Sequence, residues 1–520
     1  MDPARSRSII CSDVGSTRHT DVPLSTTPNA AAPPQDEALV KSYNDVAYTS
    51  FPDASRHPDR LATIGTLMGM DVAPVATCRV LELACGDGSN LVPIAATLPN
   101  ASFVGFDFAA VPVARAQRMA RDLGLTNIRL LQLDLRDLPA DLGPFDYIVA
   151  HGLYSWIPAE ARAHVMPLIA RHLAPNGVAF VSYNTLPGCH MRRAVWEMLK
   201  YHTRDIPDMP AKVAAARSLI GLVSVPADGE IASAAALRAE VRLAGEGPDA
   251  ALAHDDMSEP NDPVYFHEFM ADAARGGLVF LAEARLNTMM GAGLPPQVRQ
   301  ALGSLDRIMR EQYLDFIHFR RFRESLLCHA KASSRFVVQP PRVLGMHAVP
   351  SLSLRRTVAN GEAKPDMDAD AEAVKGFLLD RWPQSVPVKE LAEWRDRTPP
   401  DSVNGQSRQP IEVLLARLYV SDWVDLRTRP VAIATLPGEH PEAFAAASWI
   451  NREHEVIPNL YNEPLRQQDA IVQKLLGMMD GTRSREDLIA AIGGPFAGPG
   501  GRAQLDAVLT TLAGRALLVR

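Results

Sequence analysis

The run Arg79-Val80-Leu81-Glu82-Leu83 leads directly into Ala84-Cys85-Gly86-Asp87-Gly88, and a helical pattern through Leu91, Ile94, Ala95 and Leu98 follows. A short β-rich run that enters a glycine turn and leaves as a helix needs a parallel neighbour and a crossover, which restricts the chain to a few topologies. The pattern recurs. Ser102 to Asp107 reads as a second strand, followed by a helix from Val113 to Leu123 that Gly124 ends. Asn127 to Leu135, Phe145 to Ala150, and Gly177 to Tyr183 read as a third, fourth and fifth strand. Strands alternating with helices at this spacing predict βαβ units and a Rossmann-like, doubly wound α/β sheet.

Sheets of this kind bind ligands at the carboxyl ends of their strands. Gly86 and Gly88 carry no Cβ and let backbone approach a ligand closely, and the helix amides beyond Gly88 favour a carboxylate. Three acids fall at strand ends: Glu82, Asp107 and Asp134. S-adenosylmethionine presents a carboxylate, an ammonium, a ribose and an adenine, and this register suits it. Glu82 orients the loop or meets the ammonium through water, Asp107 accepts the ribose hydroxyls, and Asp134 accepts from the adenine amino group. The expected cofactor contacts are Glu82, Ala84, Gly86, Gly88, Asp107, Phe108, Asp134 and Leu135, with Tyr48 upstream. The competing dinucleotide fingerprint wants a third small residue, but Gly86-Asp87-Gly88-Ser89-Asn90-Leu91 ends in leucine and no Walker lysine follows. Other roles stay open for single residues. Asp107 could cap its helix, Asp134 could serve a turn before Asp137-Leu138-Pro139, and Cys85 could simply be packed.

A chain of 520 residues implies several domains. With 53 basic against 60 acidic residues, net −7, it has no bulk attraction for nucleic acid. Its 5 cysteines are scattered without zinc-ligand spacing, so no metal is expected, and reduced thiols fit a cytoplasmic protein. No apolar run reaches the roughly 18 residues of a membrane span. We divide the chain into a disordered tail (1–38), a cofactor-binding domain (39–204), a mainly helical middle region (205–355), a linker (356–371) and a winged-helix-like α+β domain (372–520). Helical patterns at Ala373–Leu379, Val388–Trp394 and Ile411–Leu418, then a strand at Val424–Thr428, suggest that last assignment, and Ser484 to Asp487 reads as a capping box. In the middle region, Gln312 to Leu327 reads as an amphipathic helix mixing Tyr313, Phe316, Phe319 and Phe322 with Arg320, Arg321 and Arg323.

These residues resemble the class I S-adenosylmethionine-dependent methyltransferases. The whole chain is similar to a narrower group with a methyltransferase regulatory domain, of which some members carry a C-terminal winged helix and methylate lysines of a bacterial surface protein. The likeness runs through Tyr43–Ser50, His57–Leu61, Glu82–Asn90, Ser182–Gly188, Pro263–Glu268 and Glu311–Arg323. Ala84 departs from the class, where a first loop glycine is common. The resemblance implies methyl transfer to a protein lysine, whose ammonium, with a pKa of about 10.4, must lose a proton first. His151, Tyr154 and Trp156 after the fourth strand, and Tyr183 and Asn184 at the end of the fifth, are the candidate acceptor linings, with His151, Tyr183 and Asn184 as catalytic candidates. A small-molecule methyltransferase and a non-catalytic, cofactor-binding regulator remain alternatives. The expected partner is a protein substrate, a homodimer is left open, and nucleic acid is not expected.

Overall fold

The computed structural model describes residues 50–519 except 141, 227, 228, 230, 292, 333, 363–367 and 398–407. The tail expected over 1–38 and the candidate Tyr48 lie outside the described residues.

The centre is one sheet of 7 strands: β1 (Arg79–Leu83), β2 (Ser102–Asp107), β3 (Ile128–Gln132), β4 (Phe145–Ala150), β5 (Leu173–Asn184), β6 (Leu278–Glu283) and β7 (Phe322–His329). Their spatial order is β3-β2-β1-β4-β5-β7-β6. The first five run parallel, and β7 is antiparallel to both β5 and β6. Helices cover both faces, so alternate residues of one strand enter different cores. Along β1, Val80 packs on one side while Leu81 and Leu83 pack on the other. Along β5, Phe180 shares the side of Val80, whereas Ala179, Val181 and Tyr183 share the side of Leu81.

Between β5 and β6 the chain leaves the sheet to build a helical cap. Its helices are Cys189–Thr203, Met209–Val223 and Ala232–Glu246, closed by a π-helical turn at Leu252–Asp256. Asp208 starts the second helix by accepting from the Ala211 amide at 2.8 Å. An aliphatic core of its own, including Val195, Leu199, Ile220, Val241 and Leu252, holds the cap together.

The segment expected to be one helix from Gln312 to Leu327 divides in two. A helix spans Arg307–His318, Phe319 turns left-handed at φ 49°, and the chain re-enters the sheet as β7. The cause is Arg323, 1% exposed, whose guanidinium must find anions inside the protein. It donates to Asp315 at 2.9 and 2.8 Å, to Glu311 at 3.2 Å and to Glu283, and it lies over the Phe266 ring at 3.9 Å. A helical run would carry Arg323 away from β6 and its Glu283. The alternation of a buried strand brings the two together.

After β7 comes a three-stranded antiparallel sheet, with His347–Pro350 between Val424–Arg427 and Val386–Pro387. Helices Ala369–Arg381, Val388–Arg397 and Ile411–Val420 pack with it. Helices Leu352–Ala359 and Ala369–Arg381 occupy the two ends of the expected linker, whose residues 363–367 lie outside the described residues. The last part holds a short hairpin (Val456–Pro458 with Pro464–Arg466) and further helices, one of them opened by the Ser484/Asp487 capping box. This C-terminal part is docked firmly on the first sheet's helices. Asp59 accepts from the Thr428 amide at 2.9 Å and pairs with Arg427 at 3.3 Å, Arg60 pairs with Asp425 at 3.0 Å, and Trp449 donates to Asp122 at 2.9 Å.

Candidate cofactor and acceptor site

The loop after β1 is held from several directions. Ala84, Gly86 and Gly88 all take positive φ (55°, 54° and 75°). A Cβ on Gly88 would sit 2.7 Å from the Ala116 Cβ, so this glycine serves helix packing. One on Gly86 would meet the Ser50 Oγ at 2.7 Å, on the wall of a cavity of about 430 Å³. Ala84 adopts the same left-handed region with a side chain, at a cost of roughly 1 kcal/mol.

Asp107 ends β2 and reaches back across the loop. Its two oxygens accept from the Gly86 amide at 3.0 Å and the Ala109 amide at 2.9 Å, and burial raises its pKa. Each oxygen keeps a further lone pair for a hydroxyl. The carboxylate therefore braces the loop and still faces the cavity. Asp134 caps the turn Leu135–Asp137 and is gripped by Arg136, whose Nε and Nη2 donate at 2.9 and 2.6 Å and hold the carboxyl below its usual range. It lies with Phe108, Gln132 and Leu135 around an adjoining cavity of about 380 Å³. Ala84, Asp107, Phe108, Leu153 and Ile157 line both cavities, so the two meet at the loop.

Glu82 is 3% exposed. Its Oε1 accepts from Asn90 Nδ2 at 3.0 Å, while Oε2 is buried without a protein partner. Burial pushes its pKa up to about 7, with the nearby Arg56 working the other way. Arg56, itself 5% exposed, donates through Nη2 to the Phe51 carbonyl and leaves its Nε buried and unpaired. An idle acceptor and an idle donor on one cavity wall match the ammonium and carboxylate of an α-amino acid. That is the methionine end of S-adenosylmethionine, and the residues present fit the cofactor.

The same cavity extends past the ends of β4 and β5 to the helical cap. His151 pairs through Nδ1 with Ser182 Oγ at 2.9 Å, and burial together with Arg56 pushes it down to about 3, which keeps the imidazole neutral. Asn184 lines the cavity and donates through Nδ2 to Asn261 Oδ1 at 2.8 Å. Tyr183, expected beside it, is not there. Neighbouring residues of a strand face opposite ways, so Tyr183 enters the other core, fully buried. It stacks on Phe269 at 4.0 Å, and its hydroxyl pairs with Ser325 Oγ at 3.2 Å. Tyr154 is also a core residue, donating to Asp272 at 2.7 Å, whereas Trp156 lines the cavity. The sequence reading missed Arg56 and, on the cap side of the cavity, Cys189, Arg192, Trp196 and Asp255, and it placed Arg321 and Phe322 on a helix. For Arg56 a signal existed, since it directly precedes the His57–Leu61 segment.

Among the described residues no group of His, Cys, Asp and Glu is arranged to hold a metal, and no helix is long and apolar enough to cross a membrane.

A glycine loop ringed by strand-end acids on a mainly parallel sheet defines a Rossmann-like methyltransferase domain, and the model of the methyltransferase domain matches residues 80–177. A second model, described as the predicted methyltransferase regulatory domain, matches residues 248–329. The chain belongs to the S-adenosylmethionine-dependent methyltransferases that carry this regulatory domain. Among curated relatives, an uncharacterized protein of Rickettsia prowazekii is 39% identical over 289 residues, covering 55% of this chain and 52% of that protein. A second from the same organism is 33% identical over 235 residues, covering 45% of this chain and 94% of that protein. The match thus spans about half the length of the first relative, 52%. The structure of PKMT2 from Rickettsia typhi, also solved in complex with AdoHcy, superposes with a TM-score of 0.78 at 24% identity, over 91% of this chain and 100% of that one, which establishes a shared fold.

Proposed function

We propose that this chain transfers a methyl group from S-adenosylmethionine to the side-chain amine of a lysine in a protein. One observation carries the reading. A single cavity begins at Glu82 and the glycine loop and ends under the helical cap, among Trp156, Trp196 and Phe322. When bound, the cofactor supplies an electrophilic methyl on a sulfonium. In this reading Glu82 and Arg56 hold its amino-acid end and Asp107 its ribose, while Asp134, Phe108 and Leu135 surround its adenine.

The residues beyond the loop receive the acceptor. In-line displacement depends on alignment, and a slender aliphatic amine suits a passage walled by indole and phenyl rings. His151, held neutral by burial, adds no positive charge to repel an incoming ammonium. Asn184, steadied by Asn261, offers its Oδ1 as an acceptor for an amine N–H. The likeness to PKMT2 in fold agrees with this reading.

Incubation of the protein with cell lysate and cofactor tritiated on the methyl tests it. Acid hydrolysis of the labelled protein should return radioactive methyllysine. Label confined to small extractable molecules would favour the small-molecule alternative, and label on another amino acid would exclude lysine.

A further inference from the structure

The cap closes the cavity with a π-helical turn, in which the Met257 amide donates to the Leu252 carbonyl at 3.0 Å. Such turns widen the helix and often mark functional sites. Here the widening gives two adjacent acids different surroundings. Asp256, 2% exposed, is fully engaged: Arg192 donates to it at 2.8 and 3.0 Å, and Trp196 Nε1 at 2.8 Å. Asp255 lies on the cavity wall, and its carboxylate has no hydrogen-bond or ion-pair partner among the described residues. Its backbone is fixed nonetheless. Asn261 Nδ2 donates to the Asp255 carbonyl at 2.8 Å, and the same Asn261 accepts from Asn184 at the end of β5.

The charges around this wall do not balance. Arg192 is committed to Asp256, and Arg321 pairs with Glu240 at 3.0 Å, which leaves Asp255 as the uncompensated charge. The excess is one anion, facing a chamber whose other end already fits the cofactor. One cation satisfies the wall, and an alkylammonium is the cation that also tolerates its indole faces.

We propose that Asp255 is the amine-binding carboxylate of the acceptor site, pairing with the acceptor's ammonium beneath the cap and taking its proton. This rests on the lysine reading above and deepens it. The N–H bond breaks heterolytically, the electron pair stays on nitrogen, and the proton moves to a carboxylate oxygen. A neutral amine and a neutral carboxyl result, with no net charge created in the chamber. Burial and the adjacent Asp256 push Asp255 up to about 7, with Arg192 opposing, so the carboxyl is a far better proton acceptor than an exposed aspartate.

The probe is n-butylammonium, titrated calorimetrically into full-length protein saturated with S-adenosylhomocysteine. Asp255→Asn should weaken its binding about tenfold or more, Asp255→Glu should retain more of it, and S-adenosylhomocysteine affinity should stay unchanged in both, which verifies folding. In the wild type, butylammonium affinity should fall as pH drops through about 7, as Asp255 takes up its proton. Equal affinity in wild type and Asp255→Asn, or a wild-type affinity independent of pH, would overturn the assignment even if methyllysine is formed. Absence of methyllysine with butylammonium binding intact would instead overturn the lysine reading alone.

Discussion

Glu82 and Glu283 are both 3% exposed, yet they do opposite work. Glu283 is saturated: Oε1 accepts from Arg323 and from Ser325 Oγ, and Oε2 accepts from the Glu324 amide at 3.1 Å. Glu82 receives one bond, from Asn90, and keeps Oε2 idle in a cavity wall. A buried carboxylate with both oxygens engaged holds a fold together. One left short of partners costs stability until something arrives to complete it. The contrast separates structural acids from binding acids more sharply than burial alone.

Several measurements break or sharpen this contrast. The largest effect belongs to the saturated side. Arg323→Met strands Glu283, Glu311 and Asp315 in the core and should destabilise the chain by roughly 3–5 kcal/mol in chemical denaturation. A loss near zero would mean the cluster is not structural. On the other side, Glu82→Gln should weaken S-adenosylhomocysteine binding by about 10- to 100-fold in calorimetry, the worth of a charged hydrogen bond, without loss of apo stability. Next comes the pH response of the apo protein. Glu82 rises from 4.5 to about 7 on folding, so the folded chain holds a proton that the unfolded chain has released across that window. Its contribution to stability is therefore complete below the unfolded value and lost as pH climbs toward 7. The wild-type stability curve should slope downward there relative to that of Glu82→Gln, and parallel curves would refute the raised value. The smallest effect is Ala84→Gly, which relieves a left-handed alanine and should stabilise by about 1 kcal/mol or less, read as a modest rise in Tm.

The loop end of the cavity was legible because its residues are local. Glu82, Gly86 and Gly88 sit within one β-loop-helix unit, and Asp107 and Asp134 follow at the ends of the next strands, where periodicity alone positions them. The cap end of the cavity is assembled from residues far apart in the chain: Trp156, Asn184, Trp196, Asp255 and Phe322 share no pattern in sequence. Asp255 in particular lies in an alanine-rich helical stretch, and its character depends on the π turn and on Arg192. Tyr183 is a different kind of miss. The period of two along β5 puts it on the opposite face from Asn184, and its place at the strand end does not alter that. The helix read over Gln312 to Leu327 misled for a third reason. Aromatic spacing at Tyr313, Phe316 and Phe319 continues the helical rhythm past its true end at His318, and only the buried partners of Arg323 reveal the strand.

The regulatory-domain match at residues 248–329 contains both β6 and β7, and β7 lies between β5 and β6 in the central sheet. Ala179 of β5 is held opposite Leu327. On a ribosome, then, the first five strands emerge with β5 as a naked edge, and that edge stays unpaired until nearly all of the regulatory-domain segment has been synthesised. Pairing over such a separation is slow, and exposed edges recruit other chains. The two segments are therefore expected to fold as one cooperative unit. A gene fragment ending at Asn184, where β5 ends, would yield an aggregating partial sheet instead of a smaller enzyme.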